Sequence, residues 1–146
     1  MQGTTTADTL QRLTRQFLAV ATHSVDDAAE LTLPQMRLLF AVEEHPGASC
    51  AELARALAVA GSTVTRVADR LVDTGHLRRS HGDRGRVIVE LELTDKGTAA
   101  IDDVVAWRSR FFADLVADLD NDPAAVRALT TVSAALDAAL STEVTR

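Results

Sequence analysis

Apolar residues recur at steps of three and four along most of this chain and change to a step of two only once. Between about Ala7 and Ala29, Leu10, Leu13, Phe17, Val20, Ala21 and Val25 follow the helical step, so this segment is predicted to be an amphipathic helix. In the next segment Met36, Leu38, Leu39, Phe40 and Val42 surround most of a helix, which places it deep in a core. A short helix carrying Leu53, Ala54 and Leu57 follows. Another begins at Ser62, with Val64, Val67, Ala68, Leu71 and Val72 in one stripe at i, i+3, i+4, i+7 and i+8. The period then becomes two. His76–Ser80 reads as a strand, His81–Gly85 as a turn, and Arg86–Leu93 as a strand in which Val87, Val89, Leu91 and Leu93 alternate with Ile88, Glu90 and Glu92. A long helix resumes to about Asp118, with Ile101, Val104, Val105, Phe111, Phe112, Leu115, Val116 and Leu119 on its stripe and Trp107 and Arg108 partly off it. A last helix carries Val126, Leu129, Val132, Leu136 and Leu140.

The punctuation between these segments supports the same division. Thr32 with Gln35, and Ser49 with Glu52, have the spacing of capping boxes, in which side chains satisfy the free N–H groups of a helix start. Pro34 is tolerated in a first turn, and His45-Pro46-Gly47 stops that helix. Val59-Ala60-Gly61 is a tight turn between two short helices, and Gly75 ends the second, which is helix-turn-helix punctuation. Thr94 can cap the long helix. Asp122 with Pro123 is a cap followed by a proline at the first helical position.

Composition narrows the class. With 146 residues, 47% apolar and 25% charged, one packed domain is expected, and 3% aromatics favours helices built from Leu, Val and Ala. No apolar run approaches the roughly 18 residues of a membrane span, and MQGTTTADT does not read as a signal peptide, so a cytoplasmic protein is expected. The single Cys50 excludes an intrachain disulfide. Four scattered His, no paired acid and base, no metal spacing and no glycine-rich phosphate loop argue against an enzyme, a metal or a cofactor.

Charge changes the picture more. The whole chain carries −6, yet Gly61–Arg86 holds six Arg against three Asp, a net +3 that leaves −9 elsewhere. Basic character concentrated on one stretch is what a phosphate-binding surface needs, whatever the total. With Val64 at the centre of the buried face, Ser62, Arg66 and Asp69 point away from the core and Thr63, Thr65 and Arg70 lie on its flanks. Small hydroxyls let a backbone approach closely, and an Arg fork matches guanine O6 and N7 in a major groove. Asp69 has two readings, a partner for Arg66 or Arg70 or an acceptor from a cytosine amino group. At the hairpin tip Arg84 and Arg86 suit a minor groove, with Asp83 orienting one of them.

On TLPQMRLLFAVEEHPG, SCAELARALAVAGSTVTRVADRLVDTGHLRR, GDRGRV and LTDKG, the chain resembles the MarR family of winged-helix transcription regulators. The resemblance implies a mainly α fold with a small β-hairpin wing, a winged helix-turn-helix plus a helical dimerisation region. As a single domain, residues 32–94 would be the DNA-binding lobe, and 7–30 with 95–143 the interlocking helices of a homodimer. It further implies a regulator, with repression the expected direction, on double-stranded DNA with a near-palindromic operator. Carried over by position, Ser62, Thr63, Thr65 and Arg66 read the groove, Arg84 enters at the wing tip beside Asp83, and Arg79 is the family's usual Arg in the first wing strand. The second strand runs a residue or two longer than the family pattern, so Arg84 and Arg86 are both candidates for the tip.

The same resemblance implies a small aromatic effector held between the dimer helices and the winged helix, where Phe17, Phe40, Trp107 and Phe111 are candidate lining. Cys50 reads as an inert structural thiol, because no second cysteine could resolve an oxidised one. The competing reading is a winged-helix module that docks proteins without binding DNA. The Arg-rich tip weighs against it.

Overall fold

The computed structural model of the protein describes residues 5–81, 89–117, 119 and 121–144. These form α1 (Thr6–Ala28), α2 (Leu33–Glu44), α3 (Cys50–Leu57), α4 (Gly61–Asp73), β1 (Leu77–His81), β2 (Val89–Leu93), α5 (Asp95–Val116) and α6 (Pro123–Val144). The strands pair antiparallel, Leu77 opposite Leu93, Arg79 opposite Leu91 and His81 opposite Val89. The fold is mainly α, a winged helix-turn-helix with long helices before and after it. Asp83, Arg84 and Arg86 lie outside the described residues.

The helix starts follow the capping chemistry. Gln35 Oε1 accepts the Thr32 N–H at 2.8 Å, and Thr32 Oγ1 accepts the Gln35 N–H at 3.4 Å. Ser49 and Glu52 do the same at 2.8 and 3.3 Å. Thr94 Oγ1 accepts the Gly97 N–H, and Asp122 Oδ1 the Ala124 N–H. A third box, Thr5 with Asp8, begins α1 and has no counterpart in the sequence reading.

The core is built by α2 to β2 with the first half of α5. Met36, Leu39, Leu53, Val64, Ala68, Leu71, Leu77, Leu91, Ile101 and Val104 are all buried. From α1 only Ser24 and Val25, near its end, are buried. Among the described side chains of α6 none is buried.

Three expectations shift. The first strand begins at Leu77 and not His76, because the His76 N–H bonds the Leu71 carbonyl at 2.8 Å and closes α4. Gly75, at φ +79, makes that closure possible. Second, α4 begins at Gly61, one residue earlier than read, with Ala60 as a cap that offers no side-chain bond. Third, the stripe of α5 divides. Gly97, Ala100, Ile101 and Val104 are buried, while Val105, Phe111 and Leu115 are exposed. Arg108, read as partly off the stripe, instead continues the Ile101–Val104 line at half burial. Gly97 is where α5 crosses the end of β1. A Cβ there would stand 2.2 Å from the His76 carbonyl oxygen, so only glycine fits.

Candidate nucleic-acid interface

The stripe spacing of α4 determines what it presents. Val64, Ala68 and Leu71 are buried, so the opposite side must face out. Ser62, Thr63, Thr65, Arg66, Asp69 and Arg70 are all exposed, as the rotation per residue requires. Thr65 Oγ1 donates to the Gly61 carbonyl at 3.1 Å, so its hydroxyl can offer an outside ligand only its acceptor side. Ala60 supplies no side-chain cap; the Thr63 N–H bonds the Ala60 carbonyl at 3.0 Å, which leaves the amides of Gly61 and Ser62 for a phosphate at this helix start.

The acidic residue of this face is already engaged. Asp69 accepts from Arg79 on β1, an ion pair between two half-exposed side chains. It therefore pairs with neither Arg66 nor Arg70, and this carboxylate is held by the strand instead. On the sheet, Arg78 faces Glu92 across the hairpin, with its Nε 2.7 Å and its Nη2 2.6 Å from Glu92 Oε2. Two of the basic stretch's arginines are thus consumed inside the chain. Among the described residues, the guanidinium groups of Arg66 and Arg70 make no hydrogen bond or ion pair and remain as the free cations of α4. The Arg78–Glu92 pair was legible in principle, since opposite charges directly across a hairpin attract. The Asp69–Arg79 pair depends on the angle at which β1 leaves α4, which no local pattern encodes.

His76 sits under this surface, buried, with Nδ1 2.8 Å from Thr74 Oγ1. Burial, and then the charge of nearby Lys96, hold its imidazole below the ordinary value of 6.5. The Lys96 ammonium donates to the Thr74 carbonyl at 2.8 Å, and the Thr94 hydroxyl donates to the Gly75 carbonyl at 2.5 Å. The orphan carbonyls at the end of α4 are therefore satisfied by the start of α5.

The aromatic candidates separate into two places. Trp107 stacks on Phe111 at 5.4 Å, Phe111 meets Phe112 edge-on at 5.6 Å, and Phe112 meets Phe17 at 6.2 Å. Phe112, absent from the sequence-derived set, links the other three. Phe40 stands apart, beneath the Arg108 guanidinium, whose carbon is 5.4 Å from the ring centroid. It also lines an open groove with Arg37, Glu44, His45 and Leu57. Among the described residues, no group of three His, Cys, Asp or Glu could hold a metal ion, and no helix is long and apolar enough to cross a membrane.

Comparison with known proteins converges on one group. The profile described as MarR family matches residues 29–86. The HTH-type transcriptional repressor MdtR of Bacillus subtilis is 31% identical over 83 residues, 57% of this chain and 54% of that protein. The chain's matches span about half the length of the curated relatives. The crystal structure of RV1404 from Mycobacterium tuberculosis superposes with a TM-score of 0.78 at 29% identity, over 88% of this chain and 90% of that one. BpsR of Bordetella bronchiseptica, solved in a study of how 6-hydroxynicotinic acid regulates its DNA binding, has a TM-score of 0.67 at 23% identity, over 94% and 96% of the two chains. At that identity the likeness is one of fold.

Proposed function

We propose that this chain, whose residues 29–86 match the MarR family profile, is a winged-helix regulator of that family: a sequence-specific DNA-binding transcriptional regulator, a repressor, acting as a homodimer on a near-palindromic operator in the cytoplasm. The observation that carries this reading is the outer face of α4. It offers Ser62, Thr63, Thr65, Arg66 and Arg70, all exposed, and the one carboxylate among them is engaged by Arg79. Two free guanidiniums beside small hydroxyls suit base edges and phosphates. In this reading Arg79 orients the first wing strand by holding it to α4, and Arg84 or Arg86 beside Asp83 enters the minor groove. Residues 32–94 read DNA, and 7–30 with 95–143 pair two copies.

The pairing is supported by apolar surface left open. Phe17, Leu18, Leu115, Val126, Leu129, Leu136 and Leu140 are each 41–63% exposed. Surface of that extent needs a partner, and a second copy supplies one while placing two α4 faces on one side. A small aromatic effector would act where the dimer helices meet the winged helix, with Phe17, Trp107 and Phe111 on one side and Phe40 on the other. Nothing in this reading asks for catalysis.

A mobility-shift titration tests the core of it. Arg66→Ala should weaken binding to an operator selected from random DNA by about 1–3 kcal/mol and weaken binding to unrelated DNA much less. Affinity for both should fall steeply with salt, as phosphate contacts require. Equal loss on both DNAs would remove Arg66 from base reading. No salt-dependent binding at all would favour a protein-docking module.

A further inference from the structure

One polar side chain ties together α1, α2 and α5, three helices that also pack on one another. On α5, Gly97, Ala100, Ile101 and Val104 are buried, and the next rung of that line, four residues after Val104, is Arg108. A Leu would continue the stripe. The guanidinium there instead reaches α1 and α2. Its Nε donates to Ser24 Oγ at 2.9 Å, and its plane lies over the Phe40 ring. Ser24 is fully buried near the end of α1, and its own hydroxyl donates to the Ala21 carbonyl at 2.8 Å. Among the described residues Arg108 has no carboxylate partner, although burial disfavours its charge.

Apolar contacts such as Ile101 and Val104 are non-directional and tolerate a change of angle. A hydrogen bond to a buried hydroxyl is not tolerant, because it weakens steeply off-axis. A cation over a ring face is likewise restricted to one side. Arg108 therefore fixes direction where the buried stripe of α5 ends and the exposed apolar half begins. Phe40 belongs to α2, within the proposed DNA-reading lobe. Ser24 and Arg108 belong to the helices proposed to pair the two copies.

We propose that Arg108 is a positioning residue that sets the angle of the winged helix-turn-helix against the dimerisation helices, and so the half-site spacing the dimer accepts. This rests on the dimeric DNA-binding reading above. Each added base pair moves a half-site by about 3.4 Å and turns it by about 35°, so a looser angle shows itself as tolerance of wrong spacers.

The test uses the full chain and an operator selected from random DNA by that chain. Affinity is measured on duplexes whose spacer is shortened or lengthened by one or two base pairs, and on a single half-site. The unaltered protein should prefer its own spacer by about tenfold or more. Arg108→Met should cut that preference to about threefold or less while leaving single-half-site affinity within about twofold. Ser24→Ala removes the hydrogen bond and leaves the cation over the ring, so it should give an intermediate preference, and it should add nothing when combined with Arg108→Met. Ser24→Ala also keeps the test open if Arg108→Met fails to fold. A merely structural role would lower the unfolding temperature and weaken all spacers together, leaving the preference intact, and that outcome overturns the proposal. So does a dimer lost on Arg108→Met whose residual complex keeps the original spacer preference. If the unaltered chain selects only isolated half-sites or no DNA, the dimeric reading itself fails, and the role of Arg108 falls with it.

Discussion

Leu71 and Leu136 are the same residue on helices of the same chain, and they meet opposite environments. Leu71, on α4, is fully buried with Met36, Leu39 and Leu53 around one core. Leu136, on α6, is 52% exposed, and so are its neighbours on that helix to a similar degree. The described part of the region from α2 to the first half of α5 buries most of its apolar side chains within one chain. The far half of α5 and all of α6 have formed helices without burying what those helices carry. Isolated helices are marginal in water, because their stability comes from packing an apolar face. One region is therefore packed within the single chain, whereas the other leaves apolar side chains exposed that the proposed second copy would cover.

The sharpest way to break this contrast is to damage each region once and vary concentration. Leu71→Ala should cost about 2–5 kcal/mol by the same amount at every protein concentration, read by thermal or denaturant unfolding. Leu136→Asp should leave α2–β2 intact and act through association. Burying a Leu is worth about 1.5–3 kcal/mol, so its loss on both copies should raise the dissociation constant at least tenfold in sedimentation. The unfolding midpoint of the unaltered protein should rise with concentration over a hundredfold range, and that of Leu136→Asp should not. A midpoint that ignores concentration in the unaltered protein would mean that α6 finds its cover within its own chain.

The same division governs how much the sequence could disclose. The capping pairs Thr32–Gln35 and Ser49–Glu52, the Gly75 stop and the Asp122–Pro123 restart were legible because each is a local device within three or four residues. The outer face of α4 was legible because a stripe at Val64, Ala68 and Leu71 leaves little choice about what lies opposite. The partner of Asp69 was not. Arg66 and Arg70 are near it in sequence, yet Arg79 reaches it from another element. Nor was the break in the α5 stripe legible, because Ile101 and Leu115 are equivalent in spacing and differ only in what stands opposite them. Phe112 was passed over for the same reason, since its link to Phe17 joins two helices far apart in sequence.

A smaller effect should come from pH, and it belongs to the self-contained region. His76 is buried with its imidazole held below 6.5 by burial and by Lys96. The unfolded chain therefore takes up this proton before the folded one does. The stability His76 lends is fully present above pH 6.5, declines as pH falls below that value, and stops declining once the folded His76 protonates too. His23, His45 and His81 are exposed. Denaturant midpoints taken from pH 7.5 downward should fall for the unaltered protein, and His76→Gln should flatten that fall. The fall should be independent of protein concentration. A concentration-dependent one would place the responsible group in the α6 region and not at the end of α4.

The smallest effect tests whether the helix-turn-helix is itself relaxed. Ala58 closes α3 at φ 53, ψ 46, the only described non-glycine residue with positive φ. Its position lets the Val59 N–H reach the Ala54 carbonyl at 3.0 Å and turns the chain toward α4. A left-handed alanine costs about 1–2 kcal/mol. Glycine removes that cost but frees the unfolded chain by about 0.4–1 kcal/mol. Ala58→Gly should therefore raise stability by up to about 1 kcal/mol, equally at all concentrations, with operator affinity within about twofold. A gain that appears only at high concentration would tie the turn to association. A loss of stability would show that the unfolded-state entropy outweighs the strain at this position, leaving the compact half without a local reserve.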